Sequence, residues 1–369
     1  MELITVPKNA IIKYGQLWNG ISPAADGPGR IYIADGLIAP SLAGAQEAPL
    51  LDFSRYFLMP ALIDGHVHFT FPDGTAPSGR AREYLQAGVF AARDAGNKDG
   101  FLPAYPPFLL LQSGYAIHQK GRYGSAMGLG AANLGEALAL IDKLAAQGAS
   151  QVKIVASGIF SFTSFGRVGS ATFTTDELKQ LVRQAKGHGL PVMAHASGDE
   201  AVRRCLEAGV DSIEHAYFLS LESLREMAAR GTYWLPTLAP VDAQLSDPGL
   251  AKQLTPQMHS IISRSLARHL EMVAEGSVLG VRIVAGTDAG APGVAHGRGL
   301  WREIVLLQQA GMSAAAALQA ATSTAATACN LSQAGTVAAG KKPYLLLLDG
   351  NPLADPAVLE NPAALLLPA

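Results

Sequence analysis

Polar and apolar positions follow three regimes along this chain. Up to about residue 57, short β-rich runs are broken by turn residues, and the runs on either side of Asp35-Gly36 carry a strong hairpin signal. From 58 to 334 the pattern becomes strand, loop, helix, repeated. The clearest unit opens at Thr174, which with Glu177 fits a capping box. Leu178, Leu181, Val182 and Ala185 then share one helical face, and Gly187 and Gly189 offer left-handed stops. A buried strand follows at 190–195. Asp199 is placed to cap the next helix and Gly209 to end it, with another strand at 210–215. Further strands are read at 62–66, 89–93, 109–117, 152–156, 233–237 and 282–285. Beyond 335, the segments 335–337 and 344–349 again read as strands.

This order predicts an α/β chain with a (β/α)8 TIM barrel over 58–334. The N- and C-terminal segments, 1–57 and 335–369, would meet in a small β-sandwich-like domain. A length of 369 residues suits one large domain with a smaller companion.

Composition narrows the class. Nearly half the residues are hydrophobic and 16% are charged, as in a well-buried α/β enzyme. A net charge of -2, with no basic stripe, gives no general attraction to nucleic acid or to an anionic membrane surface. No apolar run is long enough to span a bilayer, and no basic region followed by an apolar block marks a signal peptide. Cys205 and Cys329 read as reduced core thiols of a cytoplasmic protein, with a disulfide left open. The partner expected is a small-molecule substrate, and a homo-oligomer is compatible.

The chemistry gathers at strand ends. In a strand, His66 and His68 share one face while Val67 takes the other, which makes a half-site for a divalent ion. The fourth strand carries Lys153 inside an apolar run, the fifth ends in His195, the sixth in His215, and the eighth runs into Gly286-Thr287-Asp288. A parallel barrel collects these ends on one face. A single histidine at a strand end is more often structural than a ligand, and His188, His259 and His269 are given that reading; the joint pattern reverses it for His195 and His215. Lys153 as a salt-bridged structural lysine, leaving one metal rather than two, is the competing reading.

Several motifs together resemble the amidohydrolase superfamily of metal-dependent hydrolases, and within it the prolidase-like and imidazolonepropionase-related branch. They are the proline-led Leu62-Ile63-Asp64-Gly65-His66-Val67-His68, the Val152–Gly158 stretch, Ala194-His195-Ala196, Ser212-Ile213-Glu214-His215, Gly286-Thr287-Asp288-Ala289-Gly290 and the closing Gly335-Thr336-Val337. Ala61 and Pro343-Tyr344 depart from that pattern without touching a ligand position. The resemblance implies two divalent metal ions, zinc by default. His66 and His68 would hold the more buried ion and His195 and His215 the more exposed one. Lys153 would bridge them as a carboxylated lysine, and Asp288 would be both ligand and catalytic base.

Substrate contacts are expected from the loops. Phe160 and Arg167 lie in a phenylalanine-rich loop after the fourth strand, His118, Lys120, Arg122 and Tyr123 follow the third, and His296 and Arg298 follow Asp288. Tyr217 is placed to hydrogen-bond the reacting carbonyl. A cation among them would suit the carboxylate of an N-acyl amino acid or dipeptide. The reading is therefore hydrolysis of a C–N bond in an amide, cyclic amide or dipeptide-like substrate. The alternatives are a lactonase or phosphotriesterase on the same site and a non-catalytic barrel scaffold.

Overall fold

A strand buried on both faces must be apolar or internally paired, and in Leu62–Val67, Val89–Asp94 and Val152–Val155 every residue is buried. The computed structural model describes residues 1–41, 48–71 and 76–369. Leu62–Val67, Val89–Asp94 and Leu109–Gln112 pair in parallel, and a second parallel run joins Ala116–Gln119, Val152–Val155, Val192–Ala196, Ser212–His215, Tyr233–Leu235 and Arg282–Ile283. Gly128–Ala131 is added beside Ala116–Gln119.

Two seams close these runs into the (β/α)8 barrel. On one side the Ser150 N–H, just before Val152–Val155, donates to the Gln112 carbonyl at 2.8 Å. On the other, Gly65 donates to Ala285 at 2.9 Å, Asp288 to His66 at 2.8 Å and His68 to Ala289 at 2.7 Å. A Cβ on Gly286 would lie 2.8 Å from that of His66, so only glycine lets the last strand approach the first this closely.

The third barrel position departs from expectation. The single strand read over 109–117 is split, because Gly114 turns the chain at φ 71°. Its first half pairs with Val89–Asp94 and its second with Val152–Val155, both in parallel, so each half serves one neighbour.

Helices pack outside. Thr174 and Glu177 form the expected capping box on Thr175–Gly187, a motif stabilising by about 1 kcal/mol. Asp199 does not cap its helix; its carboxylate instead accepts from the Ser220 N–H at 2.8 Å and the Ser223 hydroxyl at 2.6 Å. Gly209 ends that helix in the left-handed conformation.

Terminal segments share one seven-stranded sheet, in the order Glu2–Val6, Ala364–Pro368, Leu345–Leu348, Leu50–Pro60, Ala10–Leu17, Gly29–Ala34 and Leu37–Ala39. It has its own apolar core around Ile12, Ile33, Leu58 and Leu366. The expected division at 57/58 falls inside the strand Leu50–Pro60, which passes through Ala61 directly into the first barrel strand. Residues 335–337 form no strand; Val337 donates one hydrogen bond to Asn19 at 2.9 Å. Both cysteines are free and buried. Among the described residues no helix is long and apolar enough to cross a membrane.

Candidate functional site

Strand direction alone brings the chemistry together: every barrel strand runs the same way, so His66, His68, Lys153, His195, His215 and Asp288 arise from one end of the cylinder. The imidazoles are contiguous. Ring centroids lie 5.4 Å apart for His66 and His68, 5.1 Å for His66 and His215, and 4.6 Å for His195 and His215. His66, His68 and Asp288 offer ligand atoms mutually within 4.8 Å.

Hydrogen bonds behind the rings fix which nitrogen faces inward. His66 Nδ1 lies 2.5 Å from a Glu214 carboxylate oxygen, and His68 Nδ1 lies 2.5 Å from the Gly96 carbonyl, so each ring carries its hydrogen on that side. The Thr237 hydroxyl donates to the Pro236 carbonyl, so at 2.6 Å it must accept from His215 Nδ1. His195 Nε2 points at the Gly158 carbonyl at 3.4 Å. Burial holds the pKa of His68 down to about 4, that of His195 to about 3 and that of His215 well below the usual histidine range, so these rings are neutral at pH 7.

Lone pairs therefore converge. His66 Nε2 and His68 Nε2 stand 3.4 and 3.3 Å from the same Asp288 oxygen, and the buried His66 nitrogen has no hydrogen-bond partner. Lys153 Nζ is also buried without a partner; burial, only partly offset by Glu214 and Asp288, lowers its pKa to about 8. Burial pushes the Asp288 carboxyl up, but the imidazoles of His66 and His68 together with Lys153 outweigh it and hold it below the ordinary carboxylate range. Acceptors facing one another in a buried site repel unless a cation lies between them. The donor set of neutral imidazole nitrogens and carboxylate oxygen suits a divalent ion such as zinc.

The scaffold behind the ligands was only partly visible in the sequence. Glu214 accepts from Ser212 Oγ at 2.6 Å and from Arg93 at 3.3 Å while holding His66. Burial raises its carboxyl, yet Arg93, His66 and Lys153 bring it down to about 2. Asp64 accepts from the Thr287 N–H at 3.0 Å and hydroxyl at 2.6 Å, tying the first strand to the last. Glu303 receives the N–H groups of Leu238 and Ala239 at 3.0 and 2.8 Å, bracing the turn after Thr237. A charged residue inside a strand buried on both faces is the signal that could have found Arg93 and Glu214. His215, Ala216, Phe218, Thr237 and Asp288 all have positive φ, strain concentrated at this rim.

Above the imidazoles opens a cavity of about 300 Å³ whose walls include Tyr123, Ile159, Phe160, Phe162, Tyr217 and Val241. Tyr123, Phe160 and Tyr217 line it, with Phe160 4.7 Å from Tyr217 between ring centroids. The Tyr217 hydroxyl, however, donates to the Thr237 carbonyl at 2.9 Å, so its ring and not its hydrogen serves the cavity. Its other face stacks on His269 at 4.1 Å, which agrees with a structural His269.

The remaining expected contacts lie elsewhere. His118 bonds the Gln119 carbonyl at 2.8 Å and lines no part of the cavity. His296 is held between the Tyr84 hydroxyl at 2.8 Å and the Phe71 carbonyl at 2.6 Å. Lys120, Arg122 and Arg167 are exposed and outside the wall. Arg298 borders a separate cleft beside the Asp242–Arg302 pair. Loop side chains point where tertiary packing sends them, and adjacency in sequence to a ligand does not decide it.

Comparison with known proteins adds the following. The model of the Amidohydrolase family matches residues 57–366. An uncharacterized protein of Mycobacterium tuberculosis is 27% identical over 309 residues, 79% of each chain. Ochratoxinase of Aspergillus niger is 27% identical over 222 residues, 59% of this chain and 44% of that one. Among solved structures, a Xaa-Pro dipeptidase with methionine bound in its active site superposes with a TM-score of 0.81 at 24% identity, covering 97% of this chain and 98% of that one.

Proposed function

The chain belongs to the amidohydrolase family, and from that premise we propose that it is a metal-dependent hydrolase cleaving the C–N bond of an amide, cyclic amide or dipeptide-like substrate. The observation that carries this reading is the set of inward-facing lone pairs on His66 and His68 around Asp288, with the partnerless Lys153 amine buried beside them. His66, His68, His195, His215 and Asp288 are the residues that would hold the ions, with zinc the default and manganese or iron compatible with the same donors. A pair of bound divalent ions would lower the pKa of water towards neutrality and polarise the carbonyl under attack.

The chain's own residues set the rest. Burial lowers the pKa of Lys153 to about 8, so a fraction of it is free amine at neutral pH and can add to carbon dioxide; one N–C bond forms, one proton leaves, and the product is a carbamate anion with two oxygen donors. Asp288, ionised at neutral pH, accepts a proton from the attacking water and returns it to the departing nitrogen, so the amine leaves neutral. The aromatic wall excludes bulk water, which strengthens these electrostatic effects. Names among the relatives, ochratoxinase and Xaa-Pro dipeptidase, support amide-type chemistry.

Two measurements test this. Zinc-reconstituted protein is expected to hold the metal stoichiometrically and to hydrolyse members of an amide panel set beside lactones and phosphotriesters. Turnover confined to esters would reject the amide reading, and a metal-loaded protein inert across the panel would favour a scaffold. Glu214→Gln should weaken zinc binding by about 10–100-fold in chelator competition, because it loosens the group that orients His66.

A further inference from the structure

The scissile group must sit against the histidines and Asp288, so whatever else the substrate carries faces the opposite wall. That wall is Ile159, Phe160, Phe162, Tyr217, Pro240 and Val241. No lysine or arginine lines the cavity among the described residues. The cations near it in the sequence do not line its wall. Arg93 is buried against Glu214, and Arg264 lies over the Phe165 ring at 4.1 Å. Arg122 and Arg167 are exposed on the loops, and Arg298 borders the separate cleft.

Neutral polar groups do line it, in Tyr123 and Gln244. The mouth continues the apolar character: Tyr123, Ile159 and Phe165 are among the large hydrophobic residues left exposed, and Phe165 packs on Phe218 at 5.4 Å. At about 300 Å³ the cavity has roughly twice the ~150 Å³ that suffices to bind benzene, room for two ring-sized groups.

We propose that this site takes a neutral, carboxylate-free amide carrying aromatic or branched apolar groups on both sides of the scissile bond, and that it discriminates against N-acyl amino acids. The proposal rests on the hydrolase reading above and narrows it. A substrate carboxylate seated on this wall would lose its hydration with no cation to replace it, whereas a phenyl group there gains from burial.

N-benzoylphenethylamine and N-benzoylphenylalanine differ only in that carboxylate. The zinc-loaded enzyme is expected to favour the first in kcat/KM by at least about tenfold, the scale set by leaving a buried polar group unpaired. Gln244→Arg should narrow the gap by raising turnover of the second. Equal turnover, or preference for the acid, overturns the proposal, the more so if the preference disappears in an Arg122→Ala/Arg167→Ala variant. Calorimetric binding of both compounds to zinc-loaded Asp288→Asn separates the two levels. Tighter binding of the acid sinks the substrate class whatever the turnover. Selective binding of the neutral compound, with no amide hydrolysed by the wild type, upholds the cavity's preference and sinks the hydrolase reading.

Discussion

Asp288→Asn is expected to reduce kcat by about 10³-fold with the fold intact, within the range that a positioned acid–base group contributes. Asparagine keeps the shape but replaces a carboxylate oxygen standing 3.4 and 3.3 Å from His66 and His68. It also removes the only lining carboxylate among the described residues able to take a proton from water in the cavity. The main-chain N–H of residue 288 still donates to the His66 carbonyl, so the barrel seam survives. Steady-state kinetics with saturating zinc, beside circular dichroism of both proteins, provides the check. A variant with near wild-type kcat would remove Asp288 from the proton path.

Lys153→Met is the second large effect, and it should move activity and stability in opposite directions. Turnover and zinc content should fall by more than the ~10–100-fold typical of losing a group behind a ligand. Added bicarbonate should raise zinc uptake by carbonate-depleted wild type and leave the variant unchanged. The metal-free variant, by contrast, should be more stable, by up to about 3 kcal/mol at neutral pH, as a folded pKa near 8 against an ordinary 10.5 implies. The sign follows from proton counts. Between pH 8 and 10.5 the unfolded chain holds the lysine proton and the folded one does not, so wild-type stability rises with pH across that window. Below pH 8 both forms are protonated and the burial penalty is complete. Urea unfolding of the two metal-free proteins should therefore show a gap that closes as pH climbs from 8 to 10.5.

Much of the barrel and of the candidate ligand cluster could be read from local pattern, because the signals are local. A lysine in an apolar run, a histidine closing a short strand and two histidines one residue apart each state their own placement once the strands are known to be parallel. What sequence reasoning missed depended on partners far away. Asp64 meets Thr287 across 223 positions, and Glu214 joins His66 across 148. The strand Ala364–Pro368 carries three consecutive leucines and so shows no alternation; they lie between Glu2–Val6 and Leu345–Leu348, with every leucine buried. His296 and Tyr217 were assigned to substrate by proximity in sequence to His215 and Asp288, yet their polar atoms are used up within the protein.

The seam between the first and last barrel strands has a bearing on biosynthesis. During translation, a nascent chain carrying His66 and His68 has no Asp288 to meet until more than two hundred further residues have left the ribosome, and Asp64 waits equally long for Thr287. Capture of an ion by the incomplete polypeptide would engage only a fragment of the donors. If the site holds the proposed ions, metal-starved cells should consequently accumulate full-length but empty protein.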